Sequence, residues 1–176
     1  MKRESNNALP VSKYEGTWVS MMYPAGWDIQ EEPGILNIWR SSGCSLISVT
    51  WREYNLKSFP PNLRAIWIGR TAEERYEKNR TDAHRDIRMM CGGRPRFEIL
   101  REYRLGDVPV IEYQFWFEEN ACMMNVQDAS YTDPATCLYI RVSWTLVGWR
   151  STAERDQEMD FRRAMFDTVV QNITFK

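Results

Sequence analysis

The alternation of hydrophobic and polar positions predicts β-strands along much of the chain. Runs rich in β-branched and aromatic residues alternate with polar ones, and Gly, Pro or charged turns separate them. The predicted strands occupy residues 17–23, 35–39, 44–53, 97–105, 108–118 and 136–149. The polar segment 119–135 is expected to be a loop.

Two segments have the residue spacing of helices. In the charged stretch 63–88, apolar residues recur at helical spacing after Gly69. Thr71 and Glu74 form a capping-box pattern, so this helix either spans the whole stretch or begins at Thr71. The segment 152–172 is predicted as an amphipathic helix. Its apolar stripe consists of Phe161, Met165, Phe166, Val169, Val170 and Ile173.

This order of elements predicts an α+β fold. Strands joined by hairpin-length links pair antiparallel, so we expect a single antiparallel β-sheet with helices packed on it, an α/β sandwich. Residues 1–13 are polar and contain Pro10, which predicts a flexible N-terminal arm. Residues 14–176 show no internal boundary and are expected to form one domain.

Charge and hydropathy narrow the range of partners. The chain of 176 residues has 23 Lys and Arg against 24 Asp and Glu, for a net charge of −1. This balance lacks the basic excess of nucleic-acid-binding proteins. The sequence also lacks an apolar run of about 18 residues, so we expect no membrane insertion.

No apolar leader follows the N-terminus, which favours a cytoplasmic location, or an extracytoplasmic one if a leader has been removed.

The residues that commonly carry chemistry form no catalytic pattern. The four cysteines, at 44, 91, 122 and 137, lack zinc-site spacing and are either free thiols or paired as disulfides. His84 lies among charges on a predicted helix, and no nucleophile pattern accompanies it. The Gly92-Gly93 loop precedes a strand, whereas a phosphate-binding loop precedes a helix. We therefore assign no catalytic, cofactor or metal residue from the sequence.

The most distinctive feature is the number of large aromatic residues, 8 Trp, 8 Tyr and 7 Phe, together with 9 Met. Strands 108–118 and 136–149 each have one apolar face and one face on which aromatic rings alternate with polar residues. A loop, a second copy of the chain or a partner is expected to cover the mixed face. The candidate partner-binding residues are Trp51, Trp116, Tyr139, Trp144 and Trp149.

One local motif and the element order resemble a known group of domains. Segments 14–18 (Tyr-Glu-Gly-Thr-Trp) and 23–27 (Tyr-Pro-Ala-Gly-Trp) are similar to the opening strand and turn of PsbP-like domains. The layout of residues 14–176 resembles the PsbP-like and DcrB-like group, whose fold is shared with the Ran-binding nuclear import factor. The resemblance implies an accessory protein such as a photosystem assembly subunit, a bacterial lipoprotein or a chaperone of type VI secretion effectors. It implies no catalytic residue.

Three hypotheses follow for the function. The first is a non-enzymatic protein-binding protein, such as a chaperone for a secreted effector or an assembly factor, whose aromatic sheet face holds an apolar segment of a partner. The second is a small-ligand-binding protein or enzyme with a cleft near Gly92-Gly93 and His84. The third is a structural subunit whose mixed sheet face is buried in a homodimer.

Overall fold

The chain folds into β-strands and three α-helices within the residues that the computed structural model describes, which are 10–40, 45–54, 56–148 and 151–176. The strands are β1 Val11–Glu15, β2 Val19–Pro24, β3 Asp28–Glu32, β4 Ile35–Trp39, β5 Ser45–Glu53, β6 Glu98–Leu105, β7 Val108–Phe117, β8 Cys122–Thr132, β9 Leu138–Val147 and β10 Thr174–Phe175. The helices are α1 Pro61–Ile68, α2 Ala72–Cys91 and α3 Thr152–Gln171, and a 3-10 turn covers Glu118–Asn120.

The strands form two antiparallel sheets. The larger has seven strands in the order β3-β4-β5-β9-β8-β7-β6, and the smaller has three in the order β1-β2-β10. The α+β class is confirmed, but the prediction of a single sheet is wrong. Strand β2 pairs with β1, with Tyr14 opposite Met21, and with β10, with Phe175 opposite Val19. Because Val19 and Met21 are buried in the core, this strand lies over the large sheet instead of extending it.

Two predicted boundaries differ from the structure. Strand β1 begins at Val11, so residues 11–13 belong to the small sheet and not to the predicted arm; residues 1–9 lie outside the described residues. The predicted loop 119–135 contains β8, which is the longest strand in the described part of the chain. Its polar residues Asn125, Gln127 and Asp128 are buried, and this polarity concealed the strand in the sequence.

Helices α2 and α3 each begin directly after a residue whose side chain caps them. The charged stretch contains two helices, because Gly69 ends α1 with a φ of 108° and α2 starts after Thr71. The Thr71 hydroxyl accepts a hydrogen bond from the backbone N–H of Glu74 at 3.1 Å, which confirms the cap. The Ser151 hydroxyl caps α3 in the same way through the N–H of Glu154.

The large sheet is covered on its two faces by different elements. The first core lies between this sheet and the layer formed by α3 and the small sheet; it includes Leu36, Val142 and Phe166. The second core lies under α2 and includes Ile87 and Tyr113. The cores account for the apolar stripes of α3 and α2, and α2 packs over the other face of the large sheet.

Candidate functional site

Helix α2 is too narrow to cover the face of the sheet on which it lies. It packs mainly against β7 and β8. Strands β9, β5 and β4 lie beyond it. Helix α2 touches β9 through the side chains of Tyr139 and Arg141, and no helix among the described residues packs closely on this side of β5 or β4. We call this surface the open sheet face. It consists of Tyr139, Arg141, Ser143 and Thr145 on β9, Leu46, Ser48, Thr50 and Arg52 on β5, and Ile35, Asn37 and Trp39 on β4.

The floor of the open sheet face is lined with hydroxyl groups. Ser48 lies directly opposite Ser143 on the neighbouring strand, and Thr145 lies opposite Leu46. The Ser48 hydroxyl donates to the Asn37 side-chain carbonyl at 2.7 Å. Leu46 is 38% exposed. The middle of the floor therefore has no charged side chain. It consists of small hydroxyl side chains and an exposed leucine.

Two methionines of α2 form the wall beside this floor. Met89 is 77% exposed and Met90 is 45% exposed, although they are adjacent near the end of a long helix. Between this wall and the floor lies a cavity of about 570 Å³. Long unbranched Met side chains adapt to irregular apolar partners. The cavity lining comprises Thr50, Trp51, Arg52, Arg85, Asp86, Met89, Met90, Tyr139 and Arg141.

Arg141 is fixed at the centre of the site by a buried carboxylate. Its Nε donates to Asp128 Oδ2 at 2.7 Å, and Asp128 is almost inaccessible to solvent. Its Nη2 also reaches the Tyr113 hydroxyl at 3.3 Å. Burial lowers the pKa of Arg141, but the Asp128 carboxylate more than offsets this and raises the pKa above its ordinary value. Arg141 is therefore a rigid, permanently charged residue.

Tyr139 links strand β9 to helix α2 by a hydrogen bond. Its hydroxyl donates to Asp86 of α2 at 3.0 Å, and burial raises its pKa to about 12. The phenol therefore stays protonated and keeps donating at neutral pH. The Arg52 guanidinium lies 4.7 Å from the centre of the Tyr139 ring. This stacking occupies one side of the ring and leaves the hydroxyl bound to the helix.

A second hollow, of about 280 Å³, continues from the site past the end of α2. It adjoins the Gly92-Gly93 loop that the sequence suggested as the border of a cleft. Burial raises the pKa of the Cys91 thiol, which makes this sulfur a poor nucleophile at neutral pH. The lining includes Met90, Cys91, Arg94, Phe117 and Met124, and most of its surface is apolar.

The five aromatic residues predicted for partner binding do not share one surface. Of the four that the structure describes, Tyr139 alone has its side chain on the open sheet face. Trp144 is fully buried on the opposite side, where its Nε1 donates to Ser45 Oγ at 2.7 Å and its ring meets Trp27 edge-on. Trp51 packs against Phe175 on that same side.

Trp116 is also separate from the open sheet face. Trp116 lies on β7 with the Arg96 guanidinium 5.3 Å from its ring centre. Trp149 lies outside the described residues. The expectation that the mixed faces of two strands coincide is wrong, because β8 lies between them. Glu112 of β7 is opposite Gln127, which is opposite Trp144, so the mixed face of β7 is on the same side as the apolar face of β9.

The ionisable residues considered from the sequence are engaged elsewhere. His84 Nε2 lies 2.9 Å from Glu102 Oε2, on the flank of α2 that faces β6 and away from the open sheet face. Within the described ranges, no three His, Cys, Asp or Glu side chains cluster in a way that would hold a metal ion. None of the helices described is both long and apolar enough to cross a lipid bilayer.

The residues that form the site were only partly visible in the sequence. The alternation of β5 places Leu46, Ser48 and Thr50 on one face, but it does not show which face a helix covers. The adjacent pair Met89 and Met90 at the end of a charged helix was the available signal for an exposed apolar wall, because the apolar stripe of α2 passes through Ile87 and Cys91.

Comparisons with solved structures confirm the fold expected from the resemblance. The Ran-binding protein Mog1p of Saccharomyces cerevisiae superimposes with a TM-score of 0.61 at 8% identity, over 95% of this chain and 96% of that chain. A point mutant of Mog1 gives a TM-score of 0.60 at 9% identity, over 94% and 95%. LpqN of Mycobacterium tuberculosis, involved in cell envelope biogenesis, gives 0.41 at 9% identity, over 95% and 86%. No family model and no curated protein matches the sequence.

Proposed function

We propose that this chain is a non-enzymatic, protein-binding accessory protein and that the open sheet face receives an apolar segment of its partner. The observation that carries the proposal is the incomplete cover of the sheet by α2. Among the described residues, no helix packs closely on this side of β5 or β4, and exposed Met89 and Met90 flank this part of the face. Exposed apolar side chains beside a concave floor are typical of interaction sites.

The chemistry of the floor suits an apolar segment better than a charged one. Ser48 and Ser143 are small and neutral, so a bulky aliphatic side chain can approach the strand backbone closely. Met89, Met90 and Leu46 then supply apolar contact. The charge of Arg141 is already paired with Asp128, so Arg141 brings no uncompensated charge to the site.

The shared fold gives limited additional support. Mog1p, which has the same fold, is named for binding Ran, a protein. Since folds host unrelated functions, this supports protein binding as a class of activity and says nothing of the partner. The mechanism that we propose is shielding: the partner segment is kept from water by burial against the open sheet face, without covalent chemistry. A chaperone or an assembly factor would act in this way.

Fluorescence anisotropy with a defined peptide tests the proposal. The probe is a labelled synthetic peptide with a Leu and Ala core between Ser and Gln flanks, and its control has Ser in place of Leu. We expect the Leu peptide to bind and the Ser peptide to bind at least about tenfold more weakly, since several buried aliphatic side chains are lost.

Matched variants then locate the binding surface. Ser48→Arg places a long charged side chain on the floor and should weaken peptide binding by about tenfold or more. Gln157→Arg makes the same change in charge on exposed α3, on the opposite side of the molecule, and should leave binding unchanged. Absence of binding, or equal binding by the two variants, would contradict the proposal.

The other two functional hypotheses predict different results. If the open sheet face is covered by a second copy of the chain, light scattering will show a dimer that Ser48→Arg converts to monomer. If the hollow beside Gly92-Gly93 holds a small apolar ligand, Cys91→Trp will fill it and abolish binding of that ligand. The hollow is continuous with the open sheet face through Met90 and Arg141, which line the two cavities in common.

A further inference from the structure

Helix α1 exposes a compact apolar surface that is separate from the open sheet face. Leu63, Ile66 and Trp67 lie at positions i, i+3 and i+4 and so project from one side of the helix. Phe59, immediately before the helix, is exposed beside them. The exposed fractions of these four side chains range from 45% to 56%. We call these four residues the α1 patch.

The α1 patch is held firmly by the layer beneath it. Ile68, on the opposite side of the helix, is buried with Leu56 and Cys137. Arg64 Nη2 donates to the backbone carbonyl of Phe59 at 3.2 Å and thereby fastens the preceding turn to the helix. The patch is therefore a preformed feature of the fold, and its exposure is not caused by a loose helix end.

The charges around the α1 patch are unusual for this chain. Residues 54–72 contain Lys57, Arg64 and Arg70 and no Asp or Glu, although the whole sequence has a net charge of −1. Within the described residues, neither Arg64 nor Arg70 forms a side-chain ion pair. Lys78 adds a further cation, because its Nζ lies 4.7 Å from the centre of the Trp67 ring.

Nearby carboxylates offset only part of this positive charge. Glu53 pairs with Lys57 at 2.9 Å and Asp82 pairs with Lys78 at 3.3 Å. The Glu74 carboxylate accepts from the backbone N–H of Arg70 at the start of α2. The Arg70 guanidinium has no carboxylate partner among these, whereas the Arg64 guanidinium donates to the backbone carbonyls of Lys57 and Phe59. The patch thus combines exposed Phe, Leu, Ile and Trp with a cationic border.

We infer that α1 binds the surface of an anionic phospholipid bilayer. Short amphipathic helices with Trp, Phe and Leu on one side and Lys or Arg around them lie in the lipid interface, where the rings occupy the headgroup level and the cations meet lipid phosphates. The cations around the α1 patch favour an anionic bilayer over a second copy of the chain, because a chain with a net charge of −1 offers them little opposite charge. The contact is peripheral and needs no membrane-spanning segment.

Co-sedimentation with vesicles tests this inference. The purified full chain is mixed with vesicles of phosphatidylcholine alone, or of phosphatidylcholine with phosphatidylglycerol. We expect binding to the mixed vesicles that falls as salt is added, and little binding to phosphatidylcholine alone. Leu63→Ser with Ile66→Ser should reduce the bound fraction by about tenfold or more, since two inserting side chains are lost.

Two further variants separate the apolar and ionic contributions. Lys57→Gln with Arg70→Gln should weaken binding to the mixed vesicles about tenfold and leave the slight binding to phosphatidylcholine unchanged. Met90→Ser removes an exposed apolar side chain of the open sheet face instead, so it should leave lipid binding unchanged while it weakens peptide binding. Thermal unfolding confirms that each variant is folded.

Three results would overturn the inference. The first is no sedimentation with the mixed vesicles, and the second is equal sedimentation of the wild type and the Leu63→Ser, Ile66→Ser variant. The third is a concentration-dependent dimer, detected by light scattering, that this variant disrupts, because the α1 patch would then belong to a second copy. Peptide binding at the open sheet face is measured separately, so failure of either proposal leaves the other testable.

Discussion

Nη2 of Arg162 lies 2.6 Å from Oε1 of Glu112, and neither side chain is accessible to solvent, with exposed fractions of 0% and 1%. The pair joins α3 to strand β7 of the large sheet. Burial lowers the pKa of Arg162 to about 10, which still leaves it charged at neutral pH. Arg163 reaches the other Glu112 oxygen at 3.1 Å, so one buried carboxylate holds two guanidinium groups.

Removal of one member of this pair should destabilise the protein strongly. We expect Glu112→Leu to lower the free energy of unfolding by about 3–5 kcal/mol, because it leaves a buried guanidinium without its counter-ion. The double variant Glu112→Leu with Arg162→Met should lose less than the sum of the single changes. Arg104→Met, which removes an exposed pair with Glu73, is the control and should cost less than about 1 kcal/mol. Denaturant titration measures each value, and additive losses would contradict the account.

Glu31 links the small sheet to the large one and should give stability a dependence on pH. Its carboxylate accepts from the backbone N–H groups of Thr17, Trp18 and Val19. Burial acts to raise the pKa of Glu31, but these donors outweigh it and the pKa is lowered. The stabilisation is therefore complete above the unfolded pKa of about 4.3 and is lost as the pH falls through the lower folded value.

Substitution of Glu31 tests this dependence. Glu31→Gln should cost about 1–3 kcal/mol of unfolding free energy at neutral pH, and the difference from wild type should shrink once the pH falls below about 4. Glu32→Gln, at its exposed neighbour, should change stability by less than about 0.5 kcal/mol. Gly16→Ala should mimic Glu31→Gln, because a Cβ at Gly16 would lie 2.4 Å from the carboxylate. A pH-independent difference would show that the contact does not depend on charge.

Substitution of Trp144 should lower the stability of the protein, whereas substitution of Met89 should weaken peptide binding. Trp144→Ala removes a fully buried ring from the core and should lower the free energy of unfolding by about 3–5 kcal/mol. Met89→Ser should change it by less than about 0.5 kcal/mol, yet weaken binding of the Leu peptide. A loss of stability in Met89→Ser comparable with that of Trp144→Ala would mean that the wall is part of the core.

The described cysteines are free thiols whose reactivity should follow their burial. Cys122 is partly exposed, whereas Cys91 and Cys137 are buried. Iodoacetamide should therefore modify Cys122 first in the native protein, and Cys91 should react slowly because burial also raises its thiol pKa. Peptide mass mapping over a time course measures the order, and early modification of Cys137 would contradict the packing around it.

The sequence patterns predicted the elements whose apolar spacing is strong. Helix α3, the cap at Thr71 and the long strands β7 and β9 follow from periodicity and capping residues alone. Strand β8 could not be predicted in this way, because Asn125, Gln127 and Asp128 make it polar. Those residues are buried only because Arg162, Tyr103 and Arg141, from distant parts of the chain, supply their partners.

The candidate site was harder to predict than the fold for a related reason. Periodicity shows which residues of a strand share a face, but the relation between faces of two strands depends on the strands between them. The unpredicted β8 lies between β7 and β9, and for this reason Trp116 and Tyr139 lie on opposite sides of the sheet, although the pattern of each strand taken singly suggests one shared surface. The width of the sheet relative to α2, which creates the open sheet face, also arises only when all seven strands are assembled.

The methionine methyl groups offer the most direct test of where a partner binds. In a protein labelled with ¹³C at its methionine methyls, titration with the Leu peptide should shift the Met89 and Met90 signals, which border the open sheet face. The signals of Met21 and Met165, buried on the α3 side, should stay unchanged. Shifts confined to Met22 or Met159, with Met89 and Met90 unaffected, would contradict the open sheet face as the binding site.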